Sequence, residues 1–314
     1  MPRRPDAELV KTTKFNELMF YFMLGRNEST IYFDLQVDLT KPLKFLEEYN
    51  KDREQEDKLT LFQIMLASGV RTVALRPKVN RFVSGRRLWQ RNQIIFSFVV
   101  KKEKTEEGEE VNAMIEFDPY DNLESVRKKV SEAIHEARFG VNKNEQDIKF
   151  WTAMPRFLIR FIFWLIRRRD DKNRPLYNLT KDVPMWATAF IAHLGSLNID
   201  AAYHHTYEVG NAGIFITIGK MHKAAVVNQE TEEIEIKTVM NLRVSIDDRI
   251  ADGAYTGPTV YMLRDFIENP ERLVDSPELT HEQLDSLKLK KYKKERLARE
   301  KARKEQQKKN KKKK

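Results

Sequence analysis

Alternating apolar and polar residues mark the first clear strand of the chain. From Thr30 to Leu39 the odd-numbered positions are apolar and the even-numbered ones are Thr, Tyr, Asp or Gln, which is typical of a strand with one buried face. A similar alternation runs from Met240 to Ile246. Further strands are predicted where apolar segments are separated by turn residues. They lie near 94–100, 111–117, 186–193, 213–219, 223–228 and 233–246.

Helical periodicity predicts three helices in the first half of the chain. One begins at Thr40 and runs to about Asp52, with a proline in its first turn. A capping box of Thr60 and Gln63 begins the second, which is apolar nearly all round and is therefore expected to be central. The third is expected to begin at a cap formed by Asp121 with Glu124, before an apolar face. Helices and strands together indicate an α/β protein.

The segment 156–169 has two interpretations. It holds nine apolar residues, but Arg160 interrupts it and it is shorter than a transmembrane helix. It is either a core or subunit-interface helix with an arginine-rich end, or an interfacial membrane helix. Trp164 and the flanking arginines favour the second interpretation. The sequence leaves both open.

The positive charge is confined to the C-terminal end. The net charge is +10, yet 288–314 holds 16 lysines and arginines against three glutamates. That segment therefore carries +13, and the rest of the chain carries −3. We predict one domain over 1–279 and a basic, helical or disordered tail over 280–314. The tail is expected to be dispensable for folding after about Leu287, and either to have no specific partner or to contact a polyanion weakly (RNA or an anionic membrane).

Composition removes several classes of chemistry. The chain has no cysteine, which excludes disulfides, thiolate nucleophiles and cysteine zinc sites. No metal site is predicted from the histidine and carboxylate spacing, and no glycine-rich phosphate loop is present. Because no signal-like or transmembrane apolar run is found, a cytoplasmic location is expected.

The most informative motif joins the last strand to a helix. It reads Ser-Ile-Asp-Asp-Arg-Ile-Ala-Asp-Gly over 245–253, and the following helix ends at Glu268-Asn269-Pro270. This resembles the D-H-R-x-x-D-G signature of the chloramphenicol acetyltransferase-like superfamily, which includes the catalytic domains of 2-oxo acid dehydrogenase acyltransferases. Weaker similarities extend from about Thr30 to Asn269, in "ALRPKVNRF", "AHLGSLNID" and "GIFITIGK". Because no lipoyl-domain sequence is found in it, the chain resembles the stand-alone members of the superfamily.

The resemblance implies a fold, an assembly and a ligand. The fold is a two-layer α/β sandwich of the chloramphenicol acetyltransferase type, with a mixed sheet packed against helices. The assembly is a homotrimer with its active site between subunits. The ligand is coenzyme A, as an acyl-CoA or another acyl thioester.

The same resemblance shows that two catalytic groups differ. The family histidine, which removes a proton from the thiol, is replaced by Asp248. Ala192 stands where the family has a hydroxyl donor for the oxyanion, unless the alignment shifts to Ser196. An aspartate has an ordinary pKa of about 3.9 and is a weak base for a thiol near 8.5.

Other residues are candidates for the site. His193, His204 and His205 are either replacements for the missing histidine or hydrogen-bonded structural side chains. Asp252 and Gly253 are expected to be structural, the carboxylate holding an arginine and the glycine permitting a sharp turn. Arg26 is the expected partner of Asp252, with Arg249 as the local alternative.

Two functions follow from these residues. The first is an acyltransferase-like protein that transfers an acyl group to or from coenzyme A if it is active. The alternative is a catalytically impaired, trimeric binding or scaffold protein of the same fold. Fold alone does not decide between them.

Overall fold

A six-stranded mixed sheet forms the centre of the molecule. The computed structural model describes residues 4–101, 108, 110–140, 153–228 and 230–312. The strands of the large sheet are β2 (Thr30–Asp38), β5 (Ile94–Lys101), β6 (Glu110–Phe117), β7 (Ala189–His193), β8 (Ile214–Val227) and β9 (Ile234–Asp247). Their order is β2-β9-β8-β7-β5-β6, and β7 runs parallel to both neighbours while the other pairs are antiparallel. This confirms the predicted mixed sheet.

A smaller sheet and an N-terminal helix extend the body. The strands β1 (Ala7–Leu9), β3 (Arg81–Ser84) and β4 (Arg87–Arg91) pair in the order β1-β4-β3. The turn between β3 and β4 contains Gly85 and Arg86, both with positive φ, as a tight hairpin requires. Helix α1 (Lys14–Phe22) packs only Phe20 against this hairpin.

Four helices cover one face of the large sheet. They are α2 (Thr40–Tyr49), α3 (Leu61–Leu75), α4 (Leu123–Phe139) and α7 (Gly253–Glu268). The capping box at Thr60 and Gln63 is present, and α3 is buried along most of its length. The stretch Gln55–Leu75 is the one helical segment of the described residues that is long and apolar enough to cross a membrane, and 72% of its window is buried inside the protein. This confirms α3 as the central helix.

Two local predictions are wrong. Asn122, not Asp121, is the N-cap of α4, and its side chain accepts a hydrogen bond from the Ser125 amide. The strands predicted at 213–219 and 223–228 form the single strand β8. A β-bulge between Ile218 and Met221 inserts one extra residue, so that the apolar period changes without ending the strand.

The remaining helices lie outside the large core. They are α5 (Arg156–Asp171), the single turn α6 (Tyr177–Thr180), α8 (His281–Leu287) and α9 (Lys293–Lys312). The predicted segment 156–169 is thus a helix, but it buries only Ile166. The last two residues of the predicted tail lie outside the described residues.

The predicted tail contains residues of the core. Leu284, Leu287 and Leu289 are at most 5% exposed. Leu287 and Leu289 belong to the main core, and Tyr292 packs against it. Arg296 is buried and forms an ion pair with Glu8 of β1. The prediction that residues after about Leu287 do not contribute to the core is therefore wrong, because the exposed basic segment begins beyond Arg296.

Candidate functional site

Asp247, the last residue of β9, is the central carboxylate of the strand–helix turn. Its side chain is fully buried. Arg249 donates to it from Nε and from Nη2, each over 2.8 Å to a different carboxylate oxygen. The Nε atom of Arg26 lies 3.7 Å from the same carboxylate. We call these three residues the Asp247 clamp.

The Asp247 clamp joins three separate segments of the chain. Arg26 donates from Nη1 to the carbonyl of Tyr207 over 2.7 Å, and Arg249 donates from Nη1 to the carbonyl of Met23 over 3.0 Å. Burial lowers the pKa of the Arg26 guanidinium, and Asp247 acts in the opposite direction. The clamp thus fixes the strand–helix turn to the segment before β2 and to the loop before β8.

Asp252 and Gly253 have other roles than those expected. Asp252 is the N-cap of α7, and its carboxylate accepts the Tyr255 amide over 2.9 Å. In the part of the chain that the structure describes, the arginines reach Asp247 instead, so the expected pairing of Asp252 with Arg26 or Arg249 is wrong. Gly253 does not have positive φ, and a Cβ there would meet nothing within 4 Å. The turn therefore does not require a glycine.

Asp248, which the resemblance places at the family histidine, is half-buried. Its amide donates to the Ser29 carbonyl over 2.9 Å, which fixes the backbone. Its carboxylate has no hydrogen-bond partner among the described residues. Burial, together with the neighbouring Asp247, raises the pKa of Asp248. Both effects make this carboxylate a stronger base than an ordinary aspartate.

His193 lies at the end of β7, on the helix-covered side of the sheet. Its ring stacks on Phe62 of α3, with the ring centres 5.3 Å apart and the planes nearly parallel. Burial lowers its pKa, so the neutral ring is favoured. Ala189 is level with Ile214 and, through it, with Ile246. His193 is four residues after Ala189 in β7. At roughly 3.3 Å per residue, it lies about 13 Å along the strand from the level of Ile246, which precedes Asp248 by two residues.

His204 and His205 lie on the opposite side of the sheet. The loop that carries them crosses the outer face, where the His204 ring stacks on Phe215 with centres 3.8 Å apart. The two histidine rings also stack on each other at 4.8 Å. In the described part of the chain, no hydrogen bond or ring contact joins Asp248 to any of these three histidines. One copy of the chain therefore does not assemble them into a single site.

The expected oxyanion position has no free hydroxyl. Ala192 lies in β7, opposite Thr217 of β8. Ser196 is exposed, and its hydroxyl donates to the His193 carbonyl over 2.7 Å. Gly195 is held against β8, since a Cβ there would lie 2.4 Å from the Gly219 carbonyl oxygen. The two segments that resemble the family, "AHLGSLNID" and "GIFITIGK", therefore meet at these glycines.

A cavity of about 380 Å³ lies beside the Asp247 clamp. Arg26 and Arg249 form part of its wall, and the β3–β4 turn, α1 and α5 complete it. Its charged lining consists of four arginines and three carboxylates: Arg26, Arg86, Arg167, Arg249, Asp170, Asp171 and Glu208. Neither Asp248 nor any of the three candidate histidines lines it. With four guanidinium groups against three carboxylates, the lining of the cavity suits the binding of an anion.

Two of the groups that position the turn are not predicted from the sequence. In the sequence, Asp247 is noted only as a match to the signature. Its place at the end of a buried strand, two residues before an arginine, is nevertheless a signal for a buried ion pair. Glu208 accepts the amides of Arg26 over 3.2 Å and Asn27 over 2.8 Å. No local pattern indicates this contact, because the partners are about 180 residues apart in the chain.

Comparison with known sequences matches part of the chain to one family. Residues 187–274 match the family described as 2-oxoacid dehydrogenases acyltransferase (catalytic domain). The match contains β7, β8, β9, the Asp247 clamp's turn and α7, and it confirms the resemblance stated from the sequence. No curated protein sequence matches the chain significantly.

Comparison with solved structures confirms the fold. A probable dihydrolipoamide acetyltransferase from Listeria monocytogenes 4b F2365 is 14% identical, with a TM-score of 0.53 over 83% of this chain and 94% of that one. The dihydrolipoamide acetyltransferase of Azotobacter vinelandii is 15% identical, with a TM-score of 0.54 over 84% and 93%. The cubic core of a pyruvate dehydrogenase multienzyme complex is 14% identical, with a TM-score of 0.53 over 84% and 93%. The chain thus has the fold of these dihydrolipoamide acetyltransferase structures.

Proposed function

We propose that this protein is an acyltransferase-like protein that binds coenzyme A or an acyl thioester and transfers acyl groups slowly, with Asp248 in the place of the base. The observation that carries the proposal is the preserved strand–turn–helix scaffold with a half-buried, unpartnered carboxylate at the reacting position. Removal of a proton from a thiol near pKa 8.5 requires a base, and the raised pKa of Asp248 favours this role.

Coenzyme A would find suitable charge in the cavity beside the turn. The ligand carries phosphates, and guanidinium groups bind phosphates through paired hydrogen bonds. Arg86 and Arg167 line the cavity, and among the described residues neither forms an ion pair within 4 Å. These two arginines are therefore the side chains that we expect to hold the phosphates, while the thiol end would lie toward Asp248.

Completion of the site by a second copy is part of the proposal. Within one chain, Asp248 and the outer-face histidines do not contact each other, and His193 lies on the other face. The resemblance implies a trimer with sites between subunits, which would bring groups from two chains together. Such an assembly is consistent with the separation of these residues in a single chain.

A non-catalytic binding or scaffold protein is the second candidate. Ala192 cannot donate a hydrogen bond to an oxyanion, and removing one such donor typically reduces the turnover rate by about 10²–10³. The absence of histidine from the described lining of the cavity supports the same candidate. In this case the protein would keep the fold and would still bind the ligand, but it would not transfer acyl groups.

The experiment combines binding with turnover. Coenzyme A and acetyl-CoA are titrated calorimetrically into the full-length protein, and acetyl transfer to dihydrolipoamide is followed by chromatographic separation of the two products, coenzyme A and S-acetyldihydrolipoamide. Arg86→Ala and Arg167→Ala should weaken binding, whereas Lys41→Ala, a change on α2, should not. Asp248→His should raise the transfer rate, because a matched general base contributes about 10²–10⁴-fold. Binding without acyl transfer, in the parent protein and in Asp248→His alike, supports the scaffold protein. If neither coenzyme A nor acetyl-CoA binds, both candidate functions are overturned.

A further inference from the structure

Helix α5 presents its aromatic side chains to solvent instead of to the core. Phe157, Phe161 and Trp164 are 75%, 56% and 52% exposed. Their spacing of four and three residues places them on one face, and Phe161 stacks on Trp164 with ring centres 5.8 Å apart. A surface helix of a globular protein normally turns such a face inward. This face therefore fits an apolar surface outside the chain.

Helix α1 and the residues after it present a second apolar surface of the same kind. Phe15, Leu18 and Phe22 are 68%, 51% and 70% exposed and lie along one stripe, followed by Leu24 at 64%. Side chains of α1 and α5 line the same cavity, which places the two helices next to each other on the surface of the protein. The two faces together form what we call the aromatic surface.

Arginines border the α5 part of the aromatic surface. Helix α5 carries five arginines against two aspartates. One of these aspartates, Asp170, is turned inward and pairs with Arg4 at 2.7 Å. Arg168 lies over the Trp164 ring, 5.4 Å from its centre. The exposed edge of the helix thus carries positive charge next to apolar rings.

This combination fits one kind of partner. We propose that the aromatic surface docks on an anionic lipid bilayer, with the aromatic side chains entering the interfacial region and the arginines contacting lipid phosphates. Amphipathic helices with arginine on the polar edge and tryptophan or phenylalanine on the apolar face bind in this way. Arginine can extend its guanidinium to the headgroups while its stem stays among apolar groups.

A second copy of the chain fits the aromatic surface less well. A protein interface would bury the arginines of α5, and buried guanidinium groups need carboxylate partners. Helix α1 offers one exposed acid, Glu17, among its nine residues. Headgroup phosphates supply the missing negative charge. The charge of the surface therefore complements an anionic membrane better than a copy of itself.

The test uses the full-length protein and vesicles of defined composition. Sedimentation is measured with vesicles of phosphatidylcholine alone and with vesicles that also contain phosphatidylglycerol, because basic segments are attracted to the negative surface potential of anionic lipids. The protein should bind only the anionic vesicles, and its tryptophan fluorescence should shift to the blue and be quenched by brominated acyl chains. Phe161→Ser combined with Trp164→Ser should reduce the bound fraction at least tenfold. Phe139→Ser with Tyr261→Ser, which removes two exposed aromatic residues from α4 and α7, should leave it unchanged.

Salt and mass measurements distinguish docking through the aromatic surface from binding through the tail and from self-association. Binding through the basic C-terminal segment alone would disappear at high salt and would survive the α5 substitutions, which would overturn the proposal. Equally, a change from oligomer to monomer in the α5 variant, with no vesicle binding by the parent, would identify the surface as a subunit interface. Circular dichroism of both double variants confirms that they fold.

Discussion

Two neighbouring aspartates, Asp247 and Asp248, have opposite environments. The first is fully buried and holds two arginines, whereas the second is half-buried and has no partner among the described side chains. The sequence separates them only through the arginine two residues after Asp247, since burial is set by which strand residue faces the clamp. The motif therefore located the turn correctly. However, the role of holding an arginine was assigned to Asp252, which instead caps α7.

The same substitution at these two positions should have very different effects on stability. Asp247→Asn leaves two buried guanidinium groups without a counter-charge and should lower the free energy of unfolding by about 3–5 kcal/mol. Asp248→Asn should change it by less than about 0.5 kcal/mol, because no bond is lost. Urea unfolding of both variants measures this contrast. Equal losses would show that Asp247 does not hold the turn.

His193 should make stability depend on pH. Its pKa in the folded protein lies below the ordinary value of 6.5, so the folded state binds fewer protons than the unfolded state. The contribution of the neutral ring is complete above 6.5 and is lost as the pH falls below it. From about pH 7.5 to about pH 5.5, the wild type should lose more unfolding free energy than His193→Gln. Identical slopes, with the exposed His135→Gln as reference, would contradict the burial of the ring.

At the level of elements, periodicity predicted most strands and helices, and tertiary contacts determined what it missed. Strand β2 and the capping box of α3 were both readable from local patterns. The bulge in β8 was not, because one extra residue reverses the alternation and resembles a break between strands. The roles of Leu287 and Leu289 were hidden by the lysines around them, since a basic composition is normally typical of an exposed segment.

Removal of the C-terminal residues at two points should separate core from tail. A chain ending at Leu287 lacks Leu289, Tyr292 and Arg296, and burial of one leucine alone contributes about 1.5–3 kcal/mol. It should therefore unfold several degrees lower in temperature. A chain ending at Glu305 should keep the melting temperature of the full chain.

The longer truncated chain also tests the basic segment. It lacks six lysines, so any RNA binding should weaken, and its salt dependence should become less steep. Calorimetry and a binding assay at two salt concentrations check both points. A normal melting temperature for the chain ending at Leu287 would restore the boundary predicted from the sequence.

At the scale of the whole molecule, one copy of the chain leaves a two-stranded arm with an uncovered apolar face. The ends of β8 and β9 pair beyond the helix layer, and Ile234 and Ile236 are 72% and 75% exposed. An isolated two-stranded hairpin is marginally stable in water. A partner surface for this arm is therefore expected, in agreement with the trimer that the resemblance implies.

Light scattering should give the mass of three copies at micromolar concentration. Ile236→Asp should weaken the association at least tenfold, because the lost burial of an isoleucine side chain exceeds the roughly 1.4 kcal/mol that corresponds to a factor of ten. Thr231→Asp, at the exposed tip of the same arm, serves as the matched control. A monomeric parent protein would contradict both the trimer and this role of the arm.

The Asp247 clamp has a consequence for how easily the chemistry of this protein can change. The carboxylate that holds the turn and the side chain that would face a substrate are adjacent but belong to different residues. Position 248 can therefore exchange one acid or base for another while the backbone beneath it stays in place. The turn therefore supports whichever reactive side chain stands at position 248, and the single substitution Asp248→His would place an imidazole there without disturbing the buried ion pairs beneath it.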